Sequence, residues 1–62
     1  MSKANGRKAI FITGAASGMG LETARLFASN GWYVGGVDVN ADGLRALEQE
    51  LGWDNCMIRE LD

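Results

Sequence analysis

The chain has no histidine and a single cysteine, Cys56, among its 62 residues. A zinc or haem centre draws its ligands from several such side chains, so no metal site is expected within it. The lack of histidine also removes the commonest general base. One thiol cannot close an internal disulfide, which fits a reducing, cytoplasmic setting. Cys56 lies in an apolar stretch, where it reads as a small buried hydrophobe rather than a nucleophile. The six lysines and arginines are scattered along the chain and are outnumbered by eight acids, for a net charge of −2. No basic patch is present to hold nucleic acid or an anionic membrane. No apolar run approaches the roughly 18 residues of a membrane helix, and the apolar stretch behind the polar start is too short for a secretory signal.

What is present begins with enough apolar content, 47%, for a globular core. At this length the chain is one domain at most, near the small end of what folds unaided. Residues 1–7 are polar and read as a mobile leader, leaving residues 8–62 as the folded part. Lys8-Ala-Ile-Phe-Ile is short, apolar and β-branched and predicts a buried strand reaching Thr13. From Gly18 to Ser29, Leu21, Ala24, Phe27 and Ala28 recur at helical spacing, and Asn30-Gly31 ends the pattern. Trp32 to Asp38 reads as a second strand, in which Gly35-Gly36 imply close backbone packing, with the first helix as the candidate neighbour. Asn40 is the expected N-cap of a second helix, with Asp42 in its first turn, Leu44, Leu47 and Leu51 as its buried stripe and Gly52 as its stop. A third strand has its core at Cys56 to Leu61. Strands alternating with helices predict right-handed βαβ units: a β-α-β-α-β half of a doubly wound Rossmann fold, with parallel strands in the order 3-2-1.

The most informative stretch is Thr13-Gly-Ala-Ala-Ser-Gly-Met-Gly20, between the first strand and the first helix. Glycines clear Cβ atoms from the path of a ligand, while first-turn N–H groups and the helix dipole favour an anion. Gly14, Gly18 and Gly20 give Gly-x-x-x-Gly-x-Gly. The fingerprint Gly-x-Gly-x-x-Gly is not met, because Ala16 occupies its second glycine position. The mononucleotide loop is not met either, since no Lys-Ser or Lys-Thr pair follows the glycines. A tight turn with no ligand also uses glycines, but a strand before and a helix after weigh for a phosphate or pyrophosphate. Asp38, 18 residues beyond Gly20, closes the second strand near the distance at which a ribose-binding acid is expected. The alternative for Asp38 is a solvated turn residue.

Thr13-Gly14-x-x-x-Gly18-x-Gly20 near an N-terminus resembles the cofactor motif of the short-chain dehydrogenase/reductase family. The resemblance covers residues 8–62 and about the first quarter of such an enzyme. It implies a dinucleotide cofactor, a small alcohol or carbonyl substrate in the intact enzyme, and a homo-oligomer. Ser17 and Met19 match loop positions that approach the ribose and pyrophosphate, and Leu61-Asp62 matches the segment that meets adenine. Family members that use NADP typically carry a basic residue before the second motif glycine or after the strand-two acid. Ser17 and Val39 stand there, so the cofactor implied is NAD in preference to NADP. The family's catalytic Ser and Tyr-x-x-x-Lys pair have no match, and Tyr33 is followed at the Lys position by Val37, so no catalytic residue is assigned. The reading is the NAD-binding segment of an oxidoreductase, inactive alone. The rival readings are a non-catalytic dinucleotide-binding module and a truncated fragment.

Overall fold

Five elements follow one another along the chain: β1 (Ala9–Thr13), α1 (Gly18–Ser29), β2 (Tyr33–Asp38), α2 (Ala41–Leu51) and β3 (Cys56–Glu60). They come from a computed structural model, which describes residues 6–61. The strands form one parallel sheet in the order β1-β2-β3, with β2 in the centre. This is the three-stranded half of a Rossmann fold that the alternation of strand and helix patterns predicts.

Register decides which side chains meet the helices. Ile10 and Ile12 lie beside Val34 and Gly36, which lie beside Cys56 and Ile58 on the third strand. Successive strand residues point to opposite faces, so these six share one face. The core forms there: Ile12, Ala15, Ala24, Val34, Leu44, Leu47 and Cys56 are buried together, flanked by Leu21, Phe27, Ala28 and Leu51. Both helices therefore cover the same face, as right-handed crossovers require. They are neighbours across it, with the Arg25 guanidinium of α1 2.7 Å from the Glu50 carboxylate of α2. The opposite face carries Phe11, 69% exposed, and Met57, 47% exposed, and no described element covers it.

The glycine pair of β2 packs differently from expectation. A Cβ on Gly36 would lie 3.0 Å from the Ala15 side chain and 3.8 Å from Leu44 and Leu47, so Gly36 admits the loop and α2 rather than α1. Gly35 turns to the other face, where the Phe11 ring lies directly over it. β1 and β2 each start one residue later than expected, and β3 ends at Glu60, one residue before the end of its expected core. Trp32 precedes β2 and packs edge-on against Phe27, with ring centroids 5.0 Å apart. Its N–H joins the Phe27 carbonyl at the end of α1. Arg7, expected in a mobile leader, is fastened instead: it donates to the Asn55 side chain and the Asp54 carbonyl, both at 2.7 Å. Residues 1–5 of that leader lie outside the described residues. Cys56 is fully buried and Asn40 caps α2, accepting the Gly43 N–H at 3.0 Å, both as the sequence predicts.

Candidate dinucleotide site

All three strands end on one side of the sheet, and the loops leaving them border an open cleft of about 270 Å³. Its walls are Thr13, Gly14, Val37, Asp38, Val39 and Leu61. Leu61 is brought there by continuing the ladder past β3, its N–H donating to the Asp38 carbonyl at 3.0 Å. In open α/β sheets ligands bind outside the carboxyl ends of the strands, and this cleft occupies that place.

Beside the cleft runs the loop from Gly14 to Ser17. Gly14 and Gly18 have φ of 68° and 56°, left-handed values that side chains with a Cβ rarely adopt. Gly20 serves a different end. A Cβ there would collide with the Gly14 carbonyl oxygen and come within 2.7 Å of its carbon, so only glycine lets α1 start this close to β1. Ser17 is the extended N-cap residue of α1, and its side chain makes no capping bond. The first intrahelical bond is Leu21 N–H to the Ser17 carbonyl, at 3.3 Å. The preceding N–H groups of Gly18, Met19 and Gly20 are thus the helix-start donors that an anion would use. The Met19 side chain is 87% exposed and borders a separate depression with Glu22, Thr23 and Leu26, so it points away from the cleft and only its backbone N–H is a candidate donor to an anion.

Asp38 ends β2 at the edge of the cleft and is half-buried. One carboxylate oxygen accepts the Ala16 N–H at 3.0 Å, and the other accepts the Asn40 N–H at 3.0 Å. These bonds, Ala16 first, hold its pKa below the ordinary aspartate value against a smaller opposing effect of desolvation. The group is therefore ionised throughout the neutral range. A carboxylate has about four acceptor positions, so two backbone bonds leave capacity for ligand hydroxyls. None of the residues lining the cleft is basic. The described residues contain no group of His, Cys, Asp and Glu that could hold a metal ion, and no helix long and apolar enough to cross a membrane.

Of the residues singled out from sequence, Gly14, Asp38, Val39 and Leu61 share the cleft, with Ser17 on the adjoining loop and Gly18, Met19 and Gly20 in the first turn of α1. Asp62 lies outside the described residues. The family model for short chain dehydrogenases matches residues 8–62. The chain belongs to the short-chain dehydrogenase family.

Among short-chain dehydrogenase relatives, the chain is 45% identical over 47 residues to a D-threitol dehydrogenase of Mycolicibacterium smegmatis, covering 76% of this chain and 18% of that protein. It is 54% identical over 43 residues to a serine 3-dehydrogenase of Agrobacterium fabrum, covering 69% of this chain and 17% of that one. In three dimensions it resembles a variant of actinorhodin polyketide ketoreductase with NADPH, at a TM-score of 0.80 and 31% identity over 100% of this chain and 24% of that one. The chain thus spans about a fifth of the length of the dehydrogenases it matches. Thr13 and Val37 were not singled out as wall residues from the sequence, nor was Ala16 as the donor to Asp38. The one sequence signal for Ala16 was its place at the second glycine of the commoner fingerprint.

Proposed function

We propose that this chain is the NAD-binding segment of a short-chain oxidoreductase. Asp38 carries the reading: an ionised carboxylate, fixed by two backbone N–H groups, borders a cleft that has no cation in its walls. It would accept the adenosine ribose hydroxyls, while the N–H groups of Gly18, Met19 and Gly20 would hold the pyrophosphate. Ser17 would add its uncommitted hydroxyl. Val39 and Leu61 offer apolar surface on which adenine could lie, with Asp62 the further candidate in that segment. The fit rests on two observations: a loop whose close approach a Cβ at Gly20 would block, and a helix start whose N-cap side chain makes no capping bond.

Charge supports NAD over NADP. A 2′-phosphate would meet the Asp38 carboxylate, with Ser17 and Val39 where a compensating cation would have to stand. Lost charge-assisted bonds and repulsion together should cost roughly 10- to 1000-fold in affinity. The resemblance to a ketoreductase with NADPH leaves that choice to residues 17, 38 and 39 of this chain. In the intact enzyme the bound nicotinamide would supply hydride transfer to or from an alcohol or carbonyl substrate. This segment's part is to bind and orient the adenosine half.

Calorimetry on the full-length protein tests the assignment. NAD should bind at least roughly tenfold more tightly than NADP, and Asp38→Ala should weaken NAD by roughly tenfold or more while narrowing that preference. Equal NAD affinity in variant and parent would remove Asp38 from the site.

A further inference from the structure

Ala16 is held from two sides. Its N–H donates to Asp38, and its methyl group faces the first turn of α2 at Gly43, where a Cβ would fall 2.8 Å from the Ala16 Cβ. Gly43 itself is held to the same node. Its N–H caps onto the Asn40 side chain at 3.0 Å, and the Asn40 N–H donates to the other oxygen of Asp38 at 3.0 Å. Ala16, Asp38, Asn40 and Gly43 thus close a ring joining the glycine loop, the end of β2 and the start of α2. The ring diverts the Ala16 N–H to Asp38. In the commoner fingerprint the residue at this position is a glycine that lets backbone approach the pyrophosphate. Here the anion is left to the donors at 18–20.

Gly43 is the unexpected member. It sits inside a helix with ordinary helical backbone, where alanine is the better helix former and glycine costs stability. A residue unfavourable to its own helix needs another reason to be there, and the space taken by Ala16 supplies one. A Cβ at position 43 would also fall 2.8 Å from the Asn40 side-chain nitrogen. That nitrogen sits at the end of a side chain, and it can turn away only at the expense of the cap on the Gly43 N–H. The Ala16 Cβ is fixed to the loop backbone and can move only with it.

We propose that Gly43 is a positioning residue for the dinucleotide loop: its missing side chain lets Ala16 sit where its N–H reaches Asp38, and so sets the loop for the cofactor. The inference rests on the dinucleotide reading above. Gly43 does not line the cleft, so it reaches the cofactor site through what it packs against, and the closest loop atom it meets is the Ala16 methyl.

The test compares NAD affinity, denaturation midpoint and hydrogen exchange of the Ala16 amide in the full-length parent, Gly43→Ala, Ala16→Gly and the double variant. Gly43→Ala should bind NAD about tenfold or more weakly and exchange the Ala16 amide faster, and its midpoint should fall, because the crowding that moves Ala16 off Asp38 outweighs the better helix propensity of alanine. In the Ala16→Gly background, where no Cβ stands opposite, adding Gly43→Ala should cost little affinity. That comparison also serves if Gly43→Ala alone does not fold. Unchanged affinity and exchange in Gly43→Ala, beside a parent that binds NAD, would overturn the proposal and leave the cofactor reading intact. An equal loss in both backgrounds would overturn it too, because the effect would not pass through Ala16. A parent that binds no dinucleotide would sink the cofactor reading, and the proposal with it.

Discussion

Asp38 joins two roles that sequence motifs treat separately, since the carboxylate we propose for a ribose also ties down the loop beside it. Its lowered pKa fixes the sign of a pH effect. A group whose pKa is depressed on folding contributes stability above its unfolded pKa and loses it as pH falls through the folded one. The window therefore lies below about pH 4, the ordinary aspartate range. Urea midpoints at pH 6 and pH 3 should fall further for the parent than for Asp38→Asn. Glu50, also depressed by its Arg25 partner, acts the same way in both proteins and cancels from the comparison. Equal falls would show that the charge on Asp38 adds nothing to the stability its Ala16 and Asn40 bonds provide. Gly20 gives a second residue-scale outcome. Gly20→Val would drive a branched side chain into the Gly14 carbonyl, so NAD binding should be lost, as calorimetry would show. Normal binding by a folded Gly20→Val protein would reduce the motif to a turn.

Element boundaries were legible wherever local chemistry sets them. α1 runs from Gly18 to Ser29, between a glycine that takes up a left-handed φ and an Asn-Gly stop. α2 starts where its Asn40 cap predicts, and Asn40→Ala should destabilise the fold by about 1 kcal/mol in urea titrations through loss of the Gly43 N–H bond. No change would mean that water caps the helix equally well. Boundaries set by tertiary contact were not legible. Trp32 has the propensity of a strand residue but is claimed by Phe27 at the end of α1. The Gly35-Gly36 pair announces missing side chains without saying what fills the space, and two different neighbours fill it on two faces. The same limit applies at the site. The position of Asp38 could be read from its distance to the glycines, but its bond to Ala16 depends on how a loop and a strand end meet across 22 residues. The Arg7 bonds are not legible for the same reason, because its partners Asn55 and Asp54 lie at the far end of the chain.

At the scale of the whole molecule, coverage is one-sided. Both helices lie over the face of Ile10 and Ile12, while Phe11, Val37 and Met57 lie on the other. Among the described elements β1 pairs with β2 alone, so its outer edge offers unpaired N–H and C=O groups. A free edge beside an apolar face is a template for further pairing, and residues 9–13 of β1 include no charged side chain. The favourable side is small as well: seven residues make up the buried apolar cluster, two of them alanines. For a chain of this length, burial and conformational entropy nearly cancel. The 62-residue chain by itself should therefore be marginally folded or self-associated, and should bind NAD weakly with no turnover. Light scattering after size-exclusion should show species heavier than a monomer or an expanded one. Amides of residues 9–13 should exchange faster than those of the central strand, residues 33–38, because they lie at the edge. Phe11→Lys should lower any association by charging the open face, although the ring it removes also shields Gly35, so the variant's midpoint must be followed alongside. A sharp monomer with strongly protected amides in β1 would show that the open edge and face are stable in water, and that these residues form a self-sufficient domain.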